Sequence, residues 1–239
     1  MASGIKTLAV DGLRVEVERK AIRNLYLRIG PEGTVRVTAP RAVSDGQVEA
    51  FVRSKRRWLD QRLRALPTYR PRYVAGERFP LWGKWYPLAV EETTGRPSAH
   101  WKEGQIVLRI EPGAEEARRK AVLDAFYRRE LAAALPAVVE RQEARTGLHA
   151  SSWQIREMST RWGSCTVRTG AIRVNLHLAK FPPECLAYLV THELTHLLEA
   201  GHNARFYGFL DRFYPNWRQA RACLRAGAPV LPPEGWSGT

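Results

Sequence analysis

The five residues 192–196, with the sequence HELTH, have the spacing that points most directly to chemistry. His192 and His196 are four positions apart, so on a helix they lie one above the other and can reach one metal ion. Glu193 is rotated from His192 by about a quarter turn, which suits a base better than a ligand. Zinc favours imidazole nitrogen and activates a water molecule when three protein ligands hold it. The segment therefore predicts a zinc hydrolase that uses a metal-activated water, with Glu193 as general base.

A third metal ligand is needed, and three side chains that follow the histidine pair are candidates. His202 comes directly after Gly201, where a glycine lets the chain reverse and return the imidazole to the metal. Glu199 and Asp211 are the alternatives, and either would give a site of two histidines and one carboxylate. Glu199 lies three residues after His196 and shares its helix face only in part. We therefore expect His202 to complete the site and rank the carboxylate second.

The residues around this segment predict the elements that must position it, and together they indicate an α+β fold. Residues 184–200 are predicted to form the metal-bearing helix, which opens at Pro182 and Pro183 and stops at Gly201. Apolar residues at intervals of three and four predict a long helix before it, ending near Gly147. Strands are predicted at 153–157 and 171–178. We assign residues 113–239, which hold these elements, to a catalytic domain.

The first 112 residues are predicted to form a separate, β-rich and basic domain with one helix at about 44–66. Alternating apolar and polar residues predict several strands before that helix, and strand-like sequence resumes at 78–90 and 105–110. Ser44 can cap the helix, with Gln47 closing a capping box. The Glu-Pro-Gly sequence at 111–113 marks the boundary between the two domains.

Composition excludes membrane-spanning and disulfide-rich secreted proteins. The longest apolar run, residues 131–139, contains a proline and is about half of the roughly 20 residues that a spanning helix needs. The N-terminus lacks the basic and then apolar pattern of a secretory signal. The three cysteines form no close pair, which is typical of a reducing compartment. We therefore expect a cytoplasmic protein with no membrane partner.

The net charge of +14 favours a polyanionic partner, because bases that neutralise phosphates release counterions. Residues 53–72 hold eight bases and one acid, with aromatic residues among them. Arginine for phosphates and aromatic rings for bases is a combination that single-strand binders use. The alternative is a solvated basic helix that buries only its apolar face. The candidates for contact with DNA, single-stranded or duplex, are Arg53, Arg56, Arg57, Trp58 and Arg64.

The segment 161–165, with the sequence RWGSC, is a second cluster of chemically capable residues. Arg161 can hold a carboxylate or a substrate carbonyl, and Trp162 can wall the cleft; the alternative is a packed turn that supports the metal helix. Cys165 is disfavoured as a nucleophile because a metal site already supplies one. Asn175 is a candidate hydrogen-bond partner for a ligating histidine. The candidates for stabilising the oxyanion are Tyr188, Tyr207, Tyr214 and His177.

Two classes of function remain open at this point. The first is a zinc-dependent hydrolase, which we expect to be an endopeptidase with protein or peptide substrates, recruited to DNA by the basic stretch. The second is a nucleic-acid-binding protein with a structural or vestigial zinc site. A structural zinc has four protein ligands and no open position. The sequence offers three good ligands and a glutamate in the position of a base, which favours the enzyme.

Several segments together resemble the YgjP-like metallopeptidase family, most specifically over about 153–213. They are RWGSC at 161–165, IRVNL at 172–176, VTHELTH at 190–196, His202-Asn203 and Phe206-Tyr207. The wider relatives are the SprT and Spartan proteases and the WLM proteases, which act on DNA-associated proteins. The resemblance implies a gluzincin-like zincin fold with His192, His196 and His202 as zinc ligands and Glu193 as catalyst. It also implies an edge strand that aligns the peptide substrate, and residues 171–178 would be that strand.

Overall fold

The computed structural model describes residues 5–30, 33–64 and 71–226, and the chain divides into two compact units. The N-terminal unit comprises residues 1–70 and the C-terminal unit residues 71–239. Strands and helices occur in both, so the predicted α+β class is confirmed. Within the described residues, no helix is both long and apolar enough to cross a bilayer.

The N-terminal unit is a four-stranded sheet covered by two helices. Its strands are β1 (Ile5–Val10), β2 (Leu13–Lys20), β3 (Tyr26–Ile29) and β4 (Val35–Pro40). They are ordered β1-β2-β4-β3, with β2 and β4 parallel and the other pairs antiparallel. Valines on one face of the sheet pack with Val48, Val52 and Leu59 from the helices, which closes a small core. The two helices are α1 (Asp45–Ser54) and α2 (Arg56–Arg64).

The single helix predicted at 44–66 is two helices. Its start is as predicted, because Ser44 and Gln47 form the capping box in both directions. At Lys55 the backbone leaves the helical range, with φ −104° and ψ 7°, and its N–H bonds to Val52 O. No glycine or proline lies between positions 47 and 64, so the sequence carries no signal for this break. Residues 65 and 66 lie outside the described ranges.

Over residues 71–226, the C-terminal unit contains a four-stranded sheet, a three-stranded sheet and four α-helices. The first sheet is β5 (Arg78–Leu81), β6 (Lys84–Glu92), β7 (Ser98–Lys102) and β8 (Gln105–Ile110), ordered β5-β6-β8-β7. After the long helix α3 (Glu116–Thr146) come β9 (Ser152–Arg156), β10 (Gly163–Thr166) and β11 (Ala171–Asn175), ordered β10-β11-β9. A 3-10 helix (Leu176–Lys180), α4 (Pro183–Thr195), α5 (Ala204–Phe213) and α6 (Trp217–Ala226) complete the unit.

The division between units lies after residue 70 and not at the predicted Glu-Pro-Gly boundary of 111–113. The physical reason is a shared core. Phe79, Leu88 and Leu108 from the first sheet are buried in the same hydrophobic cluster as Phe126 of α3 and Val190 of α4. Strands β5 to β8 therefore belong with the helices that follow them.

Two other boundaries differ from the sequence predictions. Helix α4 ends at Thr195, five residues before the predicted end at residue 200, because the N–H groups of Leu197 and Leu198 bond three residues back and tighten the chain. Gly201 is not among the glycines with positive φ, so it is not a left-handed helix cap. The predicted strand 171–178 ends at Asn175, and its last residues are in the 3-10 helix. Gly147 does end α3, with φ 71°.

Candidate metal centre

Helix α4 carries the HELTH segment and is fixed at its start by a hairpin. The turn between β5 and β6 bonds to the chain just before α4, through Trp82 N to Ala179 O at 2.8 Å. At the tip of the turn Gly83 has φ 80° and leaves so little room that an added Cβ would lie 2.8 Å from Pro182 Cγ. The hairpin therefore packs directly against the start of α4.

The middle of α4 is fixed against α3 by a buried polar contact. Thr191, adjacent to His192, donates from Oγ1 to Gln142 Oε1 at 3.1 Å, and both side chains are buried. Breaking this hydrogen bond is costly because it would leave the buried Gln142 Oε1 without this donor, whereas Thr191 Oγ1 also lies 3.0 Å from Ala187 O. The rotation of α4, and with it the direction of His192, is therefore set by packing on two sides.

The structure brings together the three histidines that the sequence singled out. His192 Nε2 lies 3.1 Å from His202 Nε2, and one ligand atom from each of His192, His196 and His202 lies within 4.8 Å of the others. The ring of Phe206 packs against all three imidazoles, with centroid distances of 4.7 to 5.0 Å. Asn203 accepts from Phe206 N and starts α5, so the return of His202 and the placement of Phe206 are linked.

Hydrogen bonds at the Nδ1 atoms orient two of these imidazoles. His196 Nδ1 lies 3.1 Å from Glu199 O, a carbonyl that can only accept, so the proton is on Nδ1 and Nε2 keeps its lone pair. His192 Nδ1 lies 3.4 Å from the hydroxyl of Tyr188. Burial, with smaller contributions from the charges of His196 and His202, lowers the pKa of His192 to about 3. His192 is therefore neutral at physiological pH, as a metal ligand must be.

These donors fit a divalent metal ion. Two nitrogens bound at about 2.0–2.1 Å in tetrahedral geometry lie roughly 3.3 Å apart, close to the 3.1 Å between His192 Nε2 and His202 Nε2. Three imidazoles that meet in this way, two of them hydrogen-bonded at Nδ1, are the donor set of a zinc site that keeps one position open. The alternative ligands are engaged elsewhere. Glu199 Oε1 accepts from Gly201 N, and Asp211 Oδ1 accepts from Trp217 Nε1 at 2.8 Å.

Glu193 is a buried carboxyl group with one oxygen that lacks a partner. The residue is 4% exposed, and its Oε2 has no hydrogen-bond partner among the described residues. Burial raises the pKa of Glu193 to about 8, against the opposing charge of Arg161. The other oxygen lies against the backbone of Gly163, where an added Cβ would be 2.4 Å from Glu193 Oε1. Position 163 must therefore be glycine for this carboxyl group to fit.

A cavity of about 720 Å³ opens around this cluster. Arg161 and Trp162 line it, and Trp162 packs edge-on against Phe181 with ring centroids 4.8 Å apart. Of the four oxyanion candidates, Tyr188 alone lines this cavity. Tyr214 donates to Glu184 O, Tyr207 stacks on Trp217, and His177 faces Glu157.

Two predicted roles near the cavity differ from what the structure contains. Asn175 does not bond to a ligating imidazole; its Nδ2 donates to Met158 O at 2.7 Å and to Arg161 O at 2.8 Å. It thus holds the loop that precedes β10. Cys165 lines the cavity, but burial and the charge of Glu193 raise the pKa of its thiol, which disfavours the thiolate.

The edge strand beside the site is β10 and not the predicted strand at 171–178. Strand β11 lies in the middle of the three-stranded sheet, between β10 and β9, so its backbone groups are already paired. Within the described residues β10 has one partner, and its residues Gly163, Ser164 and Cys165 line the cavity. The short sequence GSCT of β10 shows little alternation of apolar and polar residues, which is why sequence analysis missed it.

Sequence analysis also missed two arginines of the cavity wall. Arg221 and Arg225 reach the cavity from α6, far along the chain from the HELTH segment. Their spacing of four residues places them on one helix face, which is the only signal that the sequence offers for them.

The predicted DNA contacts lie on the helices of the N-terminal unit. Trp58 is 43% exposed on α2, and Arg57 and Arg64 are also exposed. Arg53 and Arg56 are in ion pairs, Arg53 with Asp11 and Glu49 and Arg56 with Asp60. Residues 65–70 of the basic stretch lie outside the described residues.

Comparison with known proteins identifies a family. The chain matches the model of the YgjP-like metallopeptidase domain over residues 23–226. A search of curated protein sequences gives no match. The chain is similar to the metallopeptidase zymogen abylysin of Pyrococcus abyssi, with 17% identity and a TM-score of 0.36, over 38% of this chain and 91% of that one. It is also similar to the zymogen jannalysin of Methanocaldococcus jannaschii, with 20% identity and a TM-score of 0.34, over 38% and 93%.

The family match spans most of the chain and includes the HELTH segment, the RWGSC segment and the return of His202. The resemblance noted in the sequence is therefore confirmed, and the chain belongs to the YgjP-like metallopeptidase domain family.

Proposed function

We propose that this protein is a zinc-dependent endopeptidase of the HExxH type, with His192, His196 and His202 as metal ligands and Glu193 as general base. The observation that carries the proposal is the meeting of three imidazoles beside a buried carboxyl group, one oxygen of which has no hydrogen-bond partner among the described residues. When bound, the metal supplies Lewis-acid chemistry, which makes a water molecule more acidic and polarises the substrate carbonyl.

The protein's own contribution is to hold and move a proton at Glu193. Its Oε2 is buried without a partner, so it is free to accept a proton from the attacking water and to pass it to the leaving nitrogen. The absence of a side chain at Gly163 leaves room for the other oxygen, which an added Cβ would meet at 2.4 Å. A carboxylate whose pKa is raised by burial is a stronger proton acceptor than an ordinary glutamate and holds the proton more firmly until it is passed on.

The peptide main chain is expected to pair with β10. An edge strand presents unpaired N–H and C=O groups to which an extended peptide can add as a further strand. Because Gly163, Ser164 and Cys165 line the cavity, a peptide on this edge passes over the candidate metal centre. An open cavity beside such an edge can admit a peptide bond in the interior of a chain. We therefore propose an endopeptidase.

The direct test is Glu193→Gln on zinc-loaded protein with a denatured protein as substrate. Gln cannot accept the proton, so we expect hydrolysis to fall by about 10²- to 10⁴-fold while zinc content stays near one per chain. Glu184→Gln, an exposed acid on the same helix, is the matched control and should change neither. Full turnover by Glu193→Gln would remove Glu193 from the mechanism, and loss of zinc would make it a ligand.

A second candidate activity, nucleic-acid binding that recruits protein substrates, is favoured by the exposed face of α2. Trp58 is 43% exposed, and Arg57, Arg62 and Arg64 are exposed beside it. The N-terminal unit has 15 bases and 7 acids, so it carries more than half of the net charge of +14. An exposed indole among arginines can stack on a base while the arginines hold phosphates.

This second activity predicts salt-dependent binding of single-stranded DNA. We expect Arg57, Arg62 and Arg64 changed together to Glu to abolish most of the affinity, and Trp58→Ala to cost about 1–3 kcal/mol. The control changes three exposed bases of the C-terminal unit, Arg96, Lys102 and Arg109, to Glu, which alters the net charge equally. Affinities measured at two salt concentrations should fall with a log–log slope of about −0.7 per neutralised phosphate. Equal losses in both triple variants would mean that only net charge matters.

A further inference from the structure

The wall of the cavity carries positive charge that the proposed chemistry does not use. Three arginines, Arg161, Arg221 and Arg225, line the 720 Å³ cavity together with the histidines. Glu193 is the one acid among the described lining residues. In the described part of the chain, none of these arginines forms an ion pair. Arg218, on the same helix as Arg221 but outside the cavity lining, is paired with Asp211 at 2.7 Å.

Arg221 is held in place by aromatic packing. Its guanidinium lies 5.6 Å from the ring centroid of Tyr207 and 5.6 Å from that of Trp217, and the two rings stack on each other at 5.2 Å. The ring of Tyr207 is itself 6.4 Å from that of His202. Arg221 is therefore close to the metal ligands and pre-ordered, so little side-chain entropy is lost when it binds a ligand.

The other two arginines of the cavity wall come from two different elements of the C-terminal unit. Arg225 follows Arg221 by one helical turn on α6, and both face the cavity. Arg161 comes from the loop before β10, where Asn175 anchors its backbone carbonyl. The positive charge of Arg161 acts to lower the pKa of Glu193. That of Arg221 acts to lower the pKa values of His192 and His202. Positive charge thus approaches the site from two separate elements.

We propose that this cavity selects peptides that carry a carboxylate beside the bond to be cleaved, with Arg221 and Arg225 as the pair that binds it. The proposal rests on the proposed peptidase function and names its substrate class. Arginine cannot lose its charge in a protein, and its planar fork matches a carboxylate with two parallel hydrogen bonds. A substrate carboxylate supplies the acidic partner that the described chain does not place there.

Two sources of this carboxylate fit the same chemistry: an aspartate or glutamate side chain, or the C-terminal carboxylate of the peptide. Four fluorescent peptides of one neutral sequence separate them. One has a glutamate next to the central bond and an amidated C-terminus, and one has glutamine in its place. The third has only neutral side chains and ends in a free carboxylate two residues after that bond. The fourth is the same peptide with an amidated C-terminus.

Binding is measured first on metal-loaded Glu193→Gln protein by fluorescence anisotropy, so that the result does not depend on turnover. Hydrogen bonds to a charged group are worth about 1.5–3 kcal/mol, so we expect one carboxylate peptide to bind roughly 10- to 100-fold tighter than its neutral match. The pair in which the charged peptide binds more tightly than its neutral match identifies the source of the carboxylate. The preference should shrink as salt is raised.

Variants then assign the preference to residues. Arg221→Gln and Arg225→Gln, made separately, should each reduce the ratio of affinities for charged and neutral peptides several-fold. Arg218→Gln on the same helix removes the same charge outside the cavity and should leave the ratio unchanged. Arg225 makes no aromatic contact in the described residues, so its variant keeps the test decisive if Arg221→Gln disturbs folding.

Each other outcome is informative. Equal affinity for charged and neutral peptides would overturn the proposal, and so would a preference that survives both variants. Displacement of the carboxylate peptide by an equimolar single-stranded oligonucleotide would identify a phosphate site instead. Absence of cleavage by the wild-type protein, with the binding preference intact, would count against the proposed peptidase function and not against the carboxylate site.

Discussion

At the scale of single residues, the placement of protons on the three histidines matters as much as their positions. His196 donates from Nδ1 to a carbonyl, which leaves Nε2 free to face the cavity. The hydroxyl of Tyr188 lies 3.4 Å from His192 Nδ1 and leaves Nε2 of His192 free in the same way when it accepts from Nδ1. Burial raises the pKa of that tyrosine to about 12, so the phenol stays protonated. His202 is the least enclosed of the three histidines, because it comes from a turn and is exposed.

We expect His202→Ala to lose zinc although the protein still folds. Loss of a hydrogen bond behind a ligand already costs about 10- to 100-fold in metal affinity, so removal of a ligand should cost at least that much. Glu199→Gln and Asp211→Asn are the controls, since both acids are engaged outside the histidine cluster. Zinc content and a chelator titration measure the result. Retained zinc in His202→Ala, with loss in either acid variant, would show a carboxylate to be the third ligand.

At the scale of secondary-structure elements, the site depends on α4 being held by neighbours distant in sequence. The β5–β6 turn presses Gly83 against Pro182 at the start of α4, and Gln142 of α3 bonds to Thr191 in its middle. The interior of α4 is almost wholly buried, so its position follows from packing more than from its own helix propensity.

Gly83→Ala should lower the free energy of unfolding by more than a matched glycine change does. Both Gly83 and Gly104 sit in hairpin turns with φ 80°, but an added Cβ at Gly104 meets nothing within 4 Å. The backbone conformation alone costs about 1–2 kcal/mol in each, and the contact with Pro182 adds to this for Gly83. Urea denaturation of the two variants gives the difference. Equal losses would mean that the hairpin does not press on α4.

At the scale of the whole molecule, two hydrophobic cores divide the chain. The smaller core consists of residues from the N-terminal unit alone, and the larger one runs from Phe79 to Leu224. Strands β5 to β8 contribute to the larger core, although they come before the Glu-Pro-Gly sequence at 111–113. A domain is defined by the core that it buries, and such a core need not end at a turn-forming sequence.

We therefore expect the fragment 71–239 to fold and bind zinc, and the fragment 113–239 to fail. The shorter fragment lacks Phe79, Leu88 and Leu108, and their absence would expose the face of α3 that they cover. Circular dichroism, cooperative unfolding and zinc content distinguish the two. A folded, zinc-binding fragment 113–239 would restore the boundary that the sequence suggested.

Local features of this protein could be predicted because their causes lie within a few residues. The alignment of His192 and His196 follows from helical periodicity, the start of α1 from the pairing of Ser44 with Gln47, and the end of α3 from Gly147. The return of His202 was also predictable in outcome, although the chain achieves it by ending α4 early and not through a left-handed Gly201.

Tertiary structure decided what depends on residues far apart in the chain. Which strand is the free edge depends on how three segments pair, so β10 replaced the predicted strand. Asn175 bonds to loop carbonyls because sheet pairing carries it there, and Arg221 and Arg225 reach the cavity because α6 packs beside α4. Helical periodicity and capping act over a few residues, whereas pairing and packing join positions that no local pattern connects.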